Sequence, residues 1–386
     1  MHLAKRVQGI KASSTLVITA QAKKMRQEGS DIVNFAAGEP DFDTPNQIKE
    51  SAIKAIKDGF TKYTPSTGIP ELKKAIQDKL LKDNKLQYDA EQIAVSSGAK
   101  HCLFNLVQAL VDDEDEVLIP SPYWVSYVEM VKFANGAPII LKTKKEDSFK
   151  LSAEILAASI TKKSKLLILN SPSNPAGYIY SKQELIDIAD IVVKNNLFVI
   201  SDEIYEKLIY DNSQHISIAS LNKKIYDLTF VVNGVSKAYS MTGWRIGYLA
   251  GNKDVVAAIK KIQDHSTSNP SSISQKAALS ALTSDKEVLE KMREEFEARR
   301  NAMMGYFDRM KLEYVRPQGA FYIFCDISSS GMDSLRFSTK FLEEKHVATI
   351  PGVAFGDDRY VRFSFATNRE RIEEGMRRLE SFLNKE

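Results

Sequence analysis

Seven short runs of apolar, strand-favouring residues fill the middle of the chain and restrict its fold more than any other feature: 93–96, 116–119, 138–141, 165–169, 197–201, 228–232 and 246–250. Apart from polar residues at their ends, such as Glu116 and Lys165, most are near-continuous apolar stretches. Strands of that kind suit a sheet covered on both faces. Helical patterns lie between many of the runs, as at 101–110, 182–194 and 253–263. The alternation predicts an α/β fold with a large, doubly wound, mainly parallel sheet. Ligands of such sheets gather at the carboxyl ends of the strands.

Beyond residue 285 or so the pattern changes. A long charged helix (286–310) leads into strands near 320–325, 347–350 and 361–365, with helices near 335–344 and 369–383. This reads as a smaller α+β domain, which the first 40 residues are expected to join. A length of 386 residues accommodates two domains. The expected division is a large domain, 41–285, and a small one made of 1–40 and 286–386. No internal repeat is evident.

Apolar residues (43%) and charged residues (27%) provide for both a sizeable core and a solvated surface. The net charge of +3, with acids and bases interleaved, gives no electrostatic reason to expect nucleic acid or a membrane as partner. The two cysteines, Cys102 and Cys325, lie far apart in sequence, which argues against a disulfide framework or zinc cluster and fits a reducing compartment. The five histidines show no metal-ligand spacing, and no metal is expected. The first residues lack the apolar stretch of a signal peptide, and no run is long enough to span a membrane. A cytoplasmic enzyme is the leading expectation, with a soluble binding protein second.

Four segments carry residues suited to chemistry. Ser236-Lys237-Ala238-Tyr239 follows the run 228–232, and Arg245 stands eight residues after Lys237. A lysine just beyond a buried strand can lie in a cleft, where desolvation makes its amine nucleophilic, and Arg245 can pair with a phosphate. A surface lysine in a loop is the ordinary alternative. Asp202, in Ser201-Asp202-Glu203-Ile204-Tyr205, is either a helix N-cap or a buried acid in need of a partner such as a protonated pyridine nitrogen. Asn174, in Asn170-Ser171-Pro172-Ser173-Asn174-Pro175-Ala176-Gly177, belongs to a tight turn on any reading. Ser96-Ser97-Gly98-Ala99-Lys100 joins a strand to a helix start, where backbone N–H groups bind phosphate readily. Neither a dinucleotide fingerprint, a P-loop nor a serine-hydrolase elbow is present.

Together with Ala37-Gly38-Glu39-Pro40-Asp41-Phe42, Lys62-Tyr63-Thr64-Pro65, Ser121-Pro122-Tyr123-Trp124 and Arg362-Phe363-Ser364, these segments resemble the class I aminotransferases of fold type I, and specifically bacterial aspartate aminotransferases of subgroup Ib. The likeness runs nearly end to end. It implies pyridoxal 5′-phosphate as cofactor, carried by Lys237 as a Schiff base. Asp202 then pairs with the pyridine nitrogen, Asn174 and Tyr205 with the ring hydroxyl, and Trp124 with the ring face. Gly98, Ala99, Lys100 and Arg245 take the phosphate. Tyr63 reaches the neighbouring subunit's cofactor, which implies a homodimer. Arg362 grips the substrate α-carboxylate and Gly38 lets the backbone approach the substrate.

The implied reaction is reversible, ping-pong transfer of an amino group between L-aspartate or L-glutamate and oxaloacetate or 2-oxoglutarate. The arginine that relatives in subgroup Ia use for the distal carboxylate has no counterpart between Ile262 and Gln275. Lys100, with Thr15 as hydroxyl partner, resembles the subgroup Ib solution, in which some members also take prephenate. Alternatives within the fold type are aromatic or alanine aminotransferases and β-lyases. A transcription regulator built on such a domain would need a DNA-binding module, for which the pattern leaves no room.

Overall fold

The computed structural model describes residues 4–10 and 14–384, side chains excepted at 5, 6, 14–17 and 19. Twelve strands occur among them: β1 (Val33–Asn34), β2 (Ile93–Ser96), β3 (Glu116–Ser121), β4 (Ala137–Lys142), β5 (Ser164–Asn170), β6 (Phe198–Asp202), β7 (Thr229–Gly234), β8 (Gly247–Ala250), β9 (Tyr322–Asp326), β10 (Val347–Ala348), β11 (Ile350–Pro351) and β12 (Tyr360–Ser364). Seven form one sheet in the order β2-β8-β7-β6-β5-β3-β4, parallel except for β8, which runs antiparallel to both neighbours. Each of the seven predicted runs is a strand of this sheet, and β2 keeps its predicted limits.

The covering helices show why the apolar runs are continuous. In Lys182–Lys194, Leu185, Ile188, Ala189 and Val192 fall on one buried stripe. Its start is set by a capping box, in which Ser181 accepts from the Glu184 N–H and Glu184 accepts from the Ser181 N–H. On the opposite face Ala99–Leu110 buries Cys102, Leu103, Leu106 and Val107 against the sheet. The chain moves outward from β3 to β4, then returns to place β5, β6 and β7 on the other side of β3. That reversal opens a crevice at the strands' carboxyl ends.

The C-terminal part carries a three-stranded antiparallel sheet, β11-β12-β9, and the parallel ladder β1–β10. The segment around residue 33 is held there by the Val33 N–H to His346 C=O and Phe35 N–H to Ala348 C=O bonds, 2.9 and 2.8 Å long. Glu287–Arg309 buries Leu289, Met292, Phe296, Met303 and Phe307 at helical spacing, and its aromatic side chains pack on Phe321, Phe363 and Phe365. Arg300 on the same helix is fully buried, and Asp211 binds it through two bonds of 2.8 Å.

Two details differ from the sequence reading. The run expected as one strand over 347–350 is two, because its flanks meet different partners: β10 joins β1, and β11 joins β12. The strand expected from Ala320 begins at Tyr322, since Ala320 has a left-handed backbone (φ 58°) that no strand accommodates.

Gly247 lies where β8 meets β2 beside the start of the helix Ala99–Leu110. A Cβ there would lie 2.1 Å from the Ala99 nitrogen and 2.4 Å from the Gly98 carbonyl carbon. Both obstacles are backbone. Gly247→Ala is therefore expected to lower unfolding free energy by about 3 kcal/mol, the upper range for overpacking, as read from urea denaturation. Unchanged stability would contradict so close an approach.

Candidate active site

A cleft of about 670 Å³ lies at the carboxyl edge of the large sheet, where β9 and β12 of the smaller sheet close against it. Lys237 projects into it from the turn after β7. Its Nζ donates to the Gly38 carbonyl and stands 5.8 Å from the ring centres of both Tyr205 and Phe321. Burial brings the Lys237 amine down to a pKa of about 8; Glu39 opposes that fall, while Arg362 and Arg245 add to it. The surface-loop alternative is thereby overturned.

Asp202 is the last residue of β6 and is buried. Tyr127 Oη donates to its Oδ2 at 2.6 Å, and the Ile204 N–H reaches Oδ1 at 3.3 Å. No helix begins directly after β6, where residues 204–207 form a turn, so the helix-cap alternative does not hold. Burial pushes the carboxyl up to about 6, against the opposing hydrogen bond from Tyr127. The acid is thus ionised near neutral pH without an ion-pair partner among the described residues.

Asn174 and Arg362 come together from distant parts of the chain. Arg362 Nη1 donates to Asn174 Oδ1 and Nη2 to the Ala36 carbonyl, each at 3.0 Å, while the buried Nε has no acceptor. The guanidinium lies over the Tyr322 ring, 4.2 Å from its centre. Tyr205 and Tyr322 share a 2.9 Å hydrogen bond between hydroxyls. Burial holds both phenols above their ordinary range, so both stay protonated.

At the cleft's other end, the helix Ala99–Leu110 begins beneath the Arg245 guanidinium. Gly98 (φ 94°) makes room for it: a Cβ there would fall 2.4 Å from Arg245 Nη2. The first-turn N–H groups of Ala99 and Lys100 have no intrahelical carbonyl to meet. With Arg245 they form a cradle suited to an anion. Lys100 Nζ stands 4.8 Å over the half-buried Trp124 ring, its pKa lowered by burial and by Arg245.

The remaining expected residues are placed less simply. Gly38 borders the cleft, but a Cβ there would meet only Tyr322 Oη, at 3.8 Å, so the protein itself leaves space at that position. Tyr63 is 89% exposed and lines none of the cleft within this chain. Thr15 belongs to the helix Ser14–Gln27, but its side chain lies outside the described residues.

Sequence reasoning missed Tyr127, Tyr322, Glu39 and Thr242, all of which line the cleft. Thr242 Oγ1 donates to Glu39 Oε2 at 2.6 Å. Tyr127 follows Trp124 by three residues, a helical spacing that was the only available signal. Glu203, Glu206 and His215 also converge, with ligand atoms within 4.8 Å of one another. Hydrogen bonds from Ser201, Ser217 and Asn84 already satisfy Glu203, and Lys79 forms an ion pair with Glu206.

A nucleophilic amine, a buried acid without a countercharge and an anion cradle on one sheet edge are the equipment of a group-transfer enzyme. The chain belongs to the class I and II aminotransferase family, which matches it over residues 30–379. It is 46% identical to an aspartate aminotransferase of Bacillus sp. (strain YM-2), over 99% of each chain. It is 44% identical to a probable aspartate/prephenate aminotransferase of Aquifex aeolicus, covering 99% of this chain and 98% of that one. Among solved structures, the aspartate aminotransferase of Thermus thermophilus with maleate superposes with a TM-score of 0.96 at 40% identity, over 99% of each chain.

The lowered pKa can be measured without any ligand. In competitive labelling of the cofactor-free protein with acetic anhydride, only the free-base amine reacts. Lys237 labelling should rise to half its maximum near pH 8, where exposed lysines are still mostly protonated. A Lys237 profile parallel to that of the bulk lysines would contradict the geometry.

Proposed function

We propose that the protein is a pyridoxal-phosphate-dependent aspartate aminotransferase. The observation that carries this reading is the convergence in one cleft of Lys237, the buried Asp202, the Gly98–Arg245 cradle and Arg362. The residues present fit the cofactor. Asp202 retains lone pairs for a protonated ring nitrogen, the Gly98–Arg245 cradle matches a phosphate, and the orphaned Arg362 Nε matches a substrate carboxylate. When bound, the cofactor supplies an electron sink for the charge left on the substrate Cα.

The chain's own residues do the rest. Lys237 would hold the cofactor covalently, and its amine is placed to move the substrate Cα proton as general base and acid. Asp202 keeps the ring nitrogen protonated. Asn174 and Tyr205 bind the ring hydroxyl, and Trp124 covers the ring face. Arg362 takes the α-carboxylate with the planar fork suited to it. The backbone at Gly38 borders the substrate. Ping-pong exchange between aspartate or glutamate and their 2-oxo acids follows.

Lys100, on the rim beside Trp124, is the cation proposed for the distal carboxylate, with Thr15 as its partner. The maleate named with the Thermus structure is itself a dicarboxylate. A lysine is a point charge on a flexible stem and tolerates varied geometry. That tolerance, with the name of the Aquifex relative, favours prephenate as a second acceptor. The exposed Tyr63, with Ile53 and Ile56 exposed on the helix Asn46–Lys57, supports a homodimer in which Tyr63 serves the partner's cofactor phosphate. The large domain is proposed as 41–285 and the small one as 1–40 with 286–386. No described helix is long and apolar enough to cross a membrane, and the proposed compartment is the cytoplasm.

L-Aspartate alone should convert the cofactor's absorbance in one half-reaction and release one equivalent of oxaloacetate; absence of that half-reaction would reject the reading. Lys100→Ala should cost about 10- to 100-fold in kcat/KM for aspartate, the worth of one charge-assisted hydrogen bond, and leave an uncharged amino acid unaffected. An equal loss on both substrates would assign Lys100 to the phosphate instead.

A further inference from the structure

Tyr127 sits in the first turn of the helix Ser126–Phe133, and its N–H bonds the Trp124 carbonyl at 3.0 Å. Its ring meets the Trp124 ring edge-on, 5.3 Å between centres and 84° between planes. Only 2% of the residue is exposed, and its hydroxyl makes the 2.6 Å bond to Asp202 Oδ2. We propose that Tyr127 is the positioning residue of Asp202, pinning one carboxylate oxygen so that the ionised acid keeps its remaining lone pairs aimed at the cofactor nitrogen. This rests on the reading of Asp202 given above.

The geometry accounts for the choice of a phenol. With Tyr127 on Oδ2 and the Ile204 N–H on Oδ1, rotation of the carboxylate is restrained from both sides. A carboxylate has about four lone-pair sites, so a further N–H can still be accepted. Burial beside Asp202 holds the Tyr127 phenol well above its ordinary range, so it acts as donor and never as a competing base. A donor to the ionised form favours that form. The same helical turn thus sets both the ring-stacking face, Trp124, and the acid. Other groups that act on Asp202 are Glu203 next in the chain, Lys237 across the cleft, Tyr205, and Cys102 from the helix Ala99–Leu110. Tyr127→Phe leaves all of them in place.

The test uses the holoenzyme and the cofactor-free protein. In the holoenzyme, Tyr127→Phe should lower kcat for aspartate on the order of tenfold, with KM changed less than about threefold. On an Asp202→Asn background the same change should cost less than about twofold, because no ionised carboxylate is left for the phenol to orient. In the cofactor-free protein labelled with ¹³C-aspartate, the Asp202 resonance, assigned by its loss in Asp202→Asn, should titrate about one pH unit higher in Tyr127→Phe. Tyr127→Leu provides the same readings should the phenylalanine variant not fold. An unmoved Asp202 midpoint, or a tenfold loss that persists on the Asp202→Asn background, would overturn the proposal and leave Tyr127 a packing residue. If Asp202→Asn itself keeps the parental rate, the reading of Asp202 fails, and the titration still decides whether Tyr127 controls the carboxyl.

Discussion

Asp202 closes the middle strand of a seven-stranded sheet, and the strand delivers its carboxylate to the floor of the cleft, where it is almost fully buried. An ion so buried is costly unless it is paired. Here Tyr127 and one backbone N–H offset part of that cost, and the rest shows in a pKa raised from 3.8 to about 6. That displacement corresponds to about 3 kcal/mol against the ionised form. The folded protein binds this proton more tightly than the unfolded chain, so the group weakens the fold as pH rises from about 4 to 6. On the proposed reading, a protonated ring nitrogen would supply the missing countercharge, and cofactor binding would relieve this cost.

The other side of the cleft obeys the same logic with opposite sign. Lys237 and Arg362 are cations held in a poorly solvated space, and burial lowers the pKa of both. The lysine responds by becoming a better nucleophile, whereas an arginine stays charged and must find acceptors. Arg362 meets two of them, Asn174 and Ala36, and keeps Nε for a ligand. The small sheet bears this arginine on β12, while Asn174 follows β5 of the large one. The proposed carboxylate site would therefore draw on both sheets, and the ladder β1–β10, which ties residues 33–34 to the C-terminal part, helps hold the Ala36 carbonyl in reach.

The large sheet was legible because doubly covered strands must be apolar throughout, and that pattern survives without any tertiary information. Lys237, Asp202 and Asn174 were legible as residues at or just past the ends of such strands. The contacts that decide their chemistry were not. Whether Asp202 caps a helix or stands buried depends on the absence of a helix directly after β6, and an acid-rich segment such as Asp202-Glu203 does not announce that absence. Tyr127 reads as one more aromatic in an amphipathic turn, and only the packing of that turn against β3 and β4 brings its hydroxyl to the carboxylate. The 347–350 run was read as one strand because local propensity is blind to which neighbour each residue will find. Tyr63 is 89% exposed in the isolated chain, and nothing within one chain marks a role for it.

The most direct test of the account is to locate the covalent link. The protein is purified with its cofactor, reduced with borohydride, digested, and its peptides are sequenced by mass spectrometry. A pyridoxyl group fixed on Lys237, and absent from Lys237→Ala treated in the same way, is the predicted result. A modified lysine elsewhere, or equal labelling of the Lys237→Ala protein, would contradict the assignment of this cleft as the catalytic centre.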